Sequence, residues 1–396
     1  MPVIEAQATP AHFLGMPAKQ FLSEYWQKAP LLVRGALPGF TPPLSPEDLA
    51  GLACEEGALS RLVTYQRAQD LWTLRSGPFV EADFPVLGNH DWTLLVQDMD
   101  KWDADVRALL RHFRFLPAWR IDDVMISFAT PGGSVGPHVD QYDVFLLQAQ
   151  GRRRWQLDLR SDAPTEFRDD AELKLLRSFE PTHDWVLEPG DMLYLPSGVP
   201  HHGEAVDACM TFSIGMRAPS QAELIVDLAE ELAASLPEEL RLRDPDLAEA
   251  IEPNEIDDAA FARVDVALAA LQDMDHVARR DWFGRFITRY RAAGKISAGP
   301  RAPGFAAAEK ALAAGGQLLR NPFTRSAWAR GAEARGQLFV SGEAYAMGLE
   351  SARLLADSEA IDADLLARLD APARTALASL LQGGHYQLQR APRSRR

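Results

Sequence analysis

The sequence predicts a mainly β core of the barrel or jelly-roll class, followed by helices and a small α/β unit. Between residues 119 and 216, short β-rich runs alternate with Gly- and Pro-containing turns, a pattern typical of β-sandwiches and barrels. After Arg217 this pattern is replaced by helical periodicity, and a Gly/Pro-rich stretch at 293–304 is the predicted linker. We therefore divide the chain into residues 1–218, 219–300 and 301–396.

The 396-residue chain has an ordinary globular composition, with 47% hydrophobic and 24% charged residues. Its formal charge of −15 argues against direct binding to nucleic acid and suits a basic protein partner. No apolar run approaches the roughly 18 residues that span a bilayer, and the N-terminus lacks the pattern of a secretory signal. The two cysteines, Cys54 and Cys209, are too far apart in sequence to suggest a zinc motif or a disulfide framework, so we expect a cytoplasmic protein.

The elements before the core mix helices and strands. Ser45 and Pro46 mark a helix start, with Ser45 as N-cap and acidic residues in the first turn. Residues 92–113 follow a helical pattern that is broken near Trp102 and Asp103. The other predicted elements are a helix at Pro17–Gln27, a strand at Leu31–Arg34, and a strand pair at Arg61–Gln66 and Leu71–Arg75.

Helical periodicity dominates after the core. The helix predicted at Ser220–Leu236 is amphipathic, because Leu224, Ile225, Leu228 and Leu232 recur at helical spacing. Two more helices are predicted at Ile256–Asp273 and His276–Ala293. The last unit combines an Ala-rich helix, strands near Gln337–Val340 and Ala344–Met347, helices near Ala352–Leu369 and Ala371–Leu381, and a strand at Tyr386–Leu388.

A possible metal site begins with His138 and Asp140 at the head of an apolar run. Residues i and i+2 of a β-strand point to the same face, so the imidazole and the carboxylate converge. His201 and His202 follow a buried-strand pattern, M-L-Y-L-P, and the turn S-G-V-P. In a barrel, one of them can complete a site of two histidines and one carboxylate, which is the facial triad of non-haem Fe(II) oxygenases.

Several stretches of the core resemble one known family nearly word for word. They are R-I-D-D-V-M-I-S-F, P-G-G-S-V-G-P-H-V-D-Q-Y-D-V-F, G-R-R-R-W, L-E-P-G-D-M-L-Y-L-P and the P-H before Gly203. These resemble the JmjC domain, the double-stranded β-helix (cupin-like jelly roll) of 2-oxoglutarate-dependent oxygenases, and above all the bacterial ribosomal oxygenases. The resemblance includes S-P-E-D-L-A-G-L-A and extends more loosely through the helices and the C-terminal unit. It implies a helical dimerisation region, hence a homodimer, and a winged-helix-like C-terminal domain.

The resemblance also implies which residues bind iron and cosubstrate. His138, Asp140 and His201 would ligate Fe(II); His202 stands where relatives tend to have an acid. A dianion such as 2-oxoglutarate requires a fixed cation. Strand alternation alone leaves Arg153, or the pair of Arg152 and Arg154, pointing inward. The resemblance selects Arg153, with Ser127 as a hydroxyl partner and Thr211 where relatives often carry Asn.

A second set of residues would contact the substrate. Asp123 and Met125 share a strand face with Ser127, and in the family this end lies nearer an arginine side chain of the substrate, so Asp123 is a candidate guanidinium acceptor. Tyr142 lies on the face of His138 and Asp140, and Ser213 shares a face with Thr211. We therefore assign these residues to the substrate pocket: Asp123, Met125, Tyr142 and Ser213.

The implied function is hydroxylation of an arginine of a large-subunit ribosomal protein. The cofactors would be Fe(II), 2-oxoglutarate and O2, and the partner a basic ribosomal protein, without membrane or direct nucleic-acid binding. One alternative is a JmjC hydroxylase that acts on histidine or another residue of a different basic protein. Another is a non-oxygenase cupin-like metal barrel, which the absence of an H-x-H-x-E pattern disfavours. A third is a binding factor with a degenerate barrel, which the complete set of metal residues disfavours.

Overall fold

A computed structural model describes residues 4–243, 245, 258–269, 274–291, 296 and 303–391. The chain divides into two compact units, Met1–Ala218 and Pro219–Arg396. The linker predicted at 293–304 lies almost entirely outside the described residues, as do the end of the helix predicted at Ile256–Asp273 and the basic tail. None of the described helices is long and apolar enough to cross a membrane.

The first unit consists of two β-sheets that enclose a cavity. The larger sheet has the strand order β1-β2-β10-β7-β12-β6-β5-β3-β4, and the smaller has the order β11-β8-β9. The strands are β1 (Glu5–Gln7), β2 (Leu31–Arg34), β3 (Ser60–Gln66), β4 (Leu71–Ser76), β5 (Trp92–Val96), β6 (Ile121–Ala129), β7 (Val144–Gln150), β8 (Arg153–Leu157), β9 (His183–Leu187), β10 (Met192–Leu195), β11 (His201–Ala205) and β12 (Cys209–Met216). The helices are α1 (Ala18–Glu24), α2 (Pro46–Leu52), α3 (Met99–Trp102) and α4 (Ala104–Leu109).

The large sheet has an apolar face and a face that lines the cavity. On β12, Phe212 and Ile214 join the main hydrophobic core with Phe21 of α1, while the intervening Thr211 and Ser213 line the cavity. This alternation follows from the two-residue period of a strand. Burial of both faces explains why the central strands are almost continuously buried.

Most N-terminal predictions are confirmed, but one is wrong. Ser45 caps α2 and forms a capping box with Asp48, and β3 pairs with β4 as predicted. Residues 92–96, which were predicted to be helical, form β5 between β3 and β6. A short apolar run fits a helix or a strand equally well, and here the sheet partners decide. The predicted break is confirmed, because Asp103 caps α4.

The second unit begins with α5 (Gln221–Ser235), α6 (Asp258–Leu268) and α7 (His276–Arg289). Acidic side chains of α5 form polar contacts with α7. Asp227 accepts hydrogen bonds from Trp282 and Arg289, and Glu231 pairs with Arg285. No residue of α5 or α6 is buried in the chain.

The C-terminal part of this unit contains two three-stranded sheets, with the orders β17-β13-β18 and β14-β15-β16. The helix predicted at Ala352–Leu369 is wrong as one element: it is two helices separated by β17, because Ile361 is buried in pairing with Leu318 and Asp362 caps a new helix. The elements are α8 (Phe305–Ala313), β13 (Gln317–Arg320), β14 (Ser326–Arg330), β15 (Arg335–Val340), β16 (Glu343–Gly348), α9 (Leu349–Asp357), β17 (Ala360–Ile361), α10 (Ala363–Arg368), α11 (Ala371–Gln382) and β18 (Tyr386–Gln389).

Candidate active site

The structure brings His138, Asp140 and His201 together inside the first unit. Their potential ligand atoms all lie within 4.8 Å of one another. The Nε2 atoms of His138 and His201 lie 3.9 and 3.8 Å from the Asp140 carboxylate. Backbone hydrogen bonds of 3.0 Å between His138 and His201, in both directions, join the loop after β6 to the start of β11. Residues far apart in sequence therefore form one site.

Both histidines are oriented for metal binding through Nε2. The Nδ1 atom of His138 lies 2.9 Å from the carbonyl oxygen of Gly136, and Nδ1 of His201 lies 2.9 Å from that of Val199. A carbonyl at this distance fixes the tautomer with Nδ1 protonated, so Nε2 keeps a free lone pair. Burial, together with the nearby His138, lowers the pKa of His201 to about 4, which keeps this imidazole neutral. The donor set therefore fits a divalent metal with open positions.

His202 is separated from this cluster by the alternation of β11. Its side chain lies on the opposite face, meets the Phe179 ring edge-on, and lines a second cavity with Tyr65 and Trp72. Burial, with a contribution from the Arg153 charge, lowers the pKa of His202 to about 4. Of the two adjacent histidines, only His201 stands beside Asp140.

Arg153 is the member of the arginine run that enters the cavity. It is 3% exposed, whereas Arg152 and Arg154 are exposed and form ion pairs with Asp207 and Asp184. Arg153 donates only long hydrogen bonds, at 3.4 Å to Ser127 Oγ and 3.3 Å to the carbonyl of Gly203, and its Nε has no partner.

In the described part of the chain, no carboxylate forms an ion pair with Arg153. Burial lowers the pKa of its guanidinium, yet arginine stays protonated in proteins. A buried, unpaired cation is unfavourable without an anion. The residues present therefore fit an anionic ligand such as 2-oxoglutarate between Arg153 and the metal cluster.

Strand register arranges the cavity in successive levels. We call the end of the cavity that contains Arg153 the closed end. There, Ser127 of β6 is opposite Thr211 of β12, and Thr211 is opposite Gln148 of β7. Met125 is opposite Ser213 at the next level. Cosubstrate candidates and substrate candidates therefore occupy different levels of the same strands.

Thr211 lines the cavity, but its hydroxyl donor is already used. Thr211 Oγ1 donates a 3.0 Å hydrogen bond to Oε1 of the fully buried Gln148. The Gln148 amide in turn donates to the carbonyl groups of Gln150 and Gly151 at the turn that precedes Arg153. Thr211 therefore offers the cavity lone pairs rather than a donor.

Asp123 and Tyr142 lie at the other end of the cavity from Arg153. Asp123 accepts a 3.0 Å hydrogen bond from the backbone N–H of Asp98. Burial, reinforced by the charges of Asp98 and Asp122, raises the pKa of Asp123 to about 7, although Lys101 opposes the shift. Burial also raises the pKa of Tyr142. Position 215 must be small here, since a Cβ would lie 3.2 Å from Oδ1 of Asp123.

The sequence analysis missed several residues that line the cavity. Thr93, Leu95 and Gln97 come from β5 or its end, which was wrongly predicted to be helical. The signal that could have identified this strand is the run W-T-L-L-V directly after the turn residues N-H-D. Other lining residues come from β7, β8 and β12: Val144, Leu146, Trp155 and Gly215.

Comparison with known proteins agrees with this architecture. Residues 108–224 match the JmjC domain, and residues 269–387 match the ROXA-like winged helix. The chain is 40% identical over 279 residues to the Escherichia coli ribosomal protein uL16 3-hydroxylase, which covers 68% of this chain and 71% of that protein. The winged-helix match confirms the class predicted for the C-terminal unit.

Solved structures extend the similarity to nearly the whole chain. The X-ray structure of E. coli YcfD matches with a TM-score of 0.84 and 33% identity, over 95% of this chain and 99% of that one. YcfD, described as a ribosomal oxygenase, in complex with cobalt and 2-oxoglutarate matches with a TM-score of 0.80, 34% identity and the same coverage. This chain belongs to the JmjC-domain family of ribosomal oxygenases.

Proposed function

We propose that the protein is an Fe(II)- and 2-oxoglutarate-dependent dioxygenase that hydroxylates an arginine side chain of ribosomal protein uL16 in the cytoplasm. This proposal rests on one cavity that brings together three kinds of chemical group. The cavity is lined by a buried arginine without an ion-pair partner among the described residues, by a cluster of two histidines and a carboxylate, and by a half-buried acid. The relative named as a uL16 3-hydroxylase supports the choice of substrate.

In this proposal His138, Asp140 and His201 hold the iron. Arg153 and Ser127 bind the distal carboxylate of 2-oxoglutarate, and Thr211 borders the same end. When bound, Fe(II) and 2-oxoglutarate supply the oxidising chemistry, in which O2 is consumed, the cosubstrate becomes succinate and CO2, and one oxygen atom enters a substrate C–H bond. Trp155, Val144 and Leu146 supply aromatic and aliphatic walls of the cavity.

The substrate arginine would enter at the Asp123 end. Asp123 accepts its guanidinium, while Met125 and Tyr142 pack against the aliphatic part of the side chain and Ser213 borders it opposite Met125. A carboxylate is the natural partner of a guanidinium, because the two groups match in charge and geometry. A neutral histidine substrate would gain less from a buried acid, so Asp123 favours arginine over the histidine alternative.

Mass spectrometry of ribosomal proteins tests the substrate assignment. Cells with the gene should carry one added oxygen atom on a uL16 arginine, and cells without it should lack this mass. Complementation with wild type should restore the modification, and complementation with Asp140→Ala should not. An unchanged uL16 with an added oxygen on a histidine elsewhere would support the alternative hydroxylase, and no change in any ribosomal protein would overturn the proposal.

We also propose that the protein is a homodimer assembled through residues 219–300. The helices α5 and α6 expose large apolar side chains, and large exposed apolar patches are rare on monomeric soluble proteins. Ile225 is 66% exposed, Phe261 57% and Val266 76%. Light scattering should give twice the chain mass, and Ile225→Asp with Phe261→Asp should give a monomer. Val86→Asp, at another exposed apolar residue, is the matched control. A monomeric wild type would refute the dimer.

A further inference from the structure

The closed end of the cavity contains polar atoms that the protein itself does not satisfy. Within the described ranges, six buried side-chain nitrogen or oxygen atoms have no hydrogen-bond partner. Three of them belong to residues that line this one cavity: Arg153 Nε, Trp155 Nε1 and Thr93 Oγ1. Buried polar groups in folded proteins are nearly always paired, so this concentration indicates that a ligand completes the pairing.

Strand register places Thr93 at the same end as Arg153. Thr93 of β5 is opposite Ala129 of β6, one level beyond Ser127. Ala129 packs with Ala205, and Ala205 is opposite Arg153 in the pairing of β11 with β8. Thr93 is fully buried, and this end of the cavity is otherwise closed by small apolar side chains.

We propose that Thr93 is a further cosubstrate-recognition residue, whose hydroxyl donates a hydrogen bond to the distal carboxylate of 2-oxoglutarate beside Arg153 and Ser127. This inference rests on the proposed function, because it requires the dianionic cosubstrate. A carboxylate has about four lone-pair sites, so it can accept from one guanidinium and two hydroxyls. The hydroxyl hydrogen of Thr93 is free, unlike that of Thr211, which is donated to Gln148.

Packing alone does not explain why residue 93 is threonine rather than valine. Valine has nearly the same shape, is equally suited to a strand, and would leave no unpaired polar atom in a fully buried position. A threonine that served only as core would therefore be inferior to valine. Its hydroxyl has a use only if the ligand supplies the acceptor.

The test measures binding rather than turnover, with the full-length protein loaded with Mn(II) in the absence of O2. Isothermal titration calorimetry with 2-oxoglutarate compares wild type, Thr93→Val and Thr93→Ser. We expect Thr93→Val to weaken 2-oxoglutarate binding about tenfold, the effect of one hydrogen bond to a charged group. Thr93→Ser should restore most of the affinity. Oxalate, which chelates the metal but has no distal carboxylate, is the control ligand and should bind equally to all three proteins.

A thermal unfolding measurement without ligand separates recognition from structure. Removal of the unpaired hydroxyl should leave the melting temperature of Thr93→Val equal to or above that of wild type, although its affinity for 2-oxoglutarate falls. Equal 2-oxoglutarate affinity in wild type and Thr93→Val would overturn the inference, as would a parallel loss of oxalate binding or a lower melting temperature. If wild type itself does not bind 2-oxoglutarate, the proposed function fails instead.

Discussion

The two ends of the active-site cavity contain opposite charges in similar surroundings. Arg153 at the closed end is buried and Asp123 at the other end is half-buried, and within the described structure neither forms an ion pair. The two groups differ in how they respond to the lack of an ion-pair partner. A guanidinium cannot lose its proton in a protein, so Arg153 keeps its charge when no ligand is bound. A carboxyl group can take up a proton, and Asp123 has a pKa of about 7.

The Arg153 end therefore needs an anionic ligand, whereas the Asp123 end can stand empty between substrates. The unpaired charge of Arg153 makes the closed end unfavourable without an anion, which suits a cosubstrate required in every turnover. Asp123 can be neutral before a cationic substrate enters and ionised when the guanidinium is present. The following variants test this contrast between the two ends.

Loss of a metal ligand should have the largest effect, because the metal lies between the two ends. His138→Ala should reduce bound Fe(II) to background and abolish succinate formation, since only two ligands would remain. Metal analysis of the purified protein checks this. His202→Gln is the matched control, because His202 lies on the other face of β11. Loss of metal in His202→Gln, with retention in His138→Ala, would contradict the assignment.

Replacement of the closed-end cation should weaken cosubstrate binding about a hundredfold. Arg153→Met keeps the apolar bulk but removes the charge that we propose binds the distal carboxylate. Without the buried charge, the ligand-free protein should be as stable as wild type or more so. Titration calorimetry with 2-oxoglutarate and thermal unfolding measure both effects.

Arg154→Met is the control for this change, since its side chain is exposed and pairs with Asp184. It should alter cosubstrate affinity less than about twofold, as expected for a surface ion pair. Equal losses of cosubstrate affinity in Arg153→Met and Arg154→Met would mean that the net positive charge of β8, rather than Arg153 itself, determines binding.

The acid at the other end should make substrate use depend on pH. Asp123 gains its charge as pH rises through about 7, so kcat/KM for an arginine peptide should rise about tenfold between pH 6 and 8. Asp123→Asn keeps an acceptor for the Asp98 N–H but has no charge to gain. Its ratio to wild type should therefore fall as pH rises, and a constant ratio would remove Asp123 from substrate recognition.

The same residue should destabilise the fold at high pH. The pKa of Asp123 in the folded protein, about 7, lies above its ordinary value of 3.8. The contribution of Asp123 to the free energy of unfolding is therefore greatest below pH 4 and decreases as pH rises from about 4 to 7. Above pH 7 the cost is on the order of a few kcal/mol, so Asp123→Asn should exceed wild type in melting temperature by a margin that grows over this range. A margin independent of pH would contradict the buried acid.

Thr211 should give the smallest effect on cosubstrate binding. Its hydroxyl donates to Gln148, so Thr211→Val should change 2-oxoglutarate affinity less than about threefold. Thr211→Val should instead lower stability by about 1–3 kcal/mol, because Gln148 Oε1 loses its partner inside the core. Thr211→Ser, which keeps the donor, should behave like wild type. A tenfold loss of affinity in Thr211→Val would show direct contact with the cosubstrate.

The sequence predicted the fold class and the contents of the site better than it predicted individual elements near the site. Turn chemistry and strand alternation are local properties, and they account for the β-rich region and the capping of α2. His138 and Asp140 lie close together as expected, but in the loop between β6 and β7 rather than on a strand. The run W-T-L-L-V is ambiguous on its own, because an apolar pentapeptide fits a helix or a strand, and only the turn residues N-H-D before it favour a strand. Its pairing with β3 and β6 decided the outcome, and Thr93 was missed for that reason.

The sequence alone indicated that an imidazole and a carboxylate two residues apart converge, that only alternate arginines of the run can turn inward, and that the chain resembles the JmjC oxygenases. The three-dimensional structure was needed to place His201 rather than His202 beside Asp140, and to show that no carboxylate of the described residues pairs with Arg153. It also decided that Thr211 is already paired and that Asp123 has a pKa of about 7. The reason is physical: which side faces inward follows from the chain's own two-residue period, whereas burial, pairing and pKa depend on groups that distant strands bring into contact.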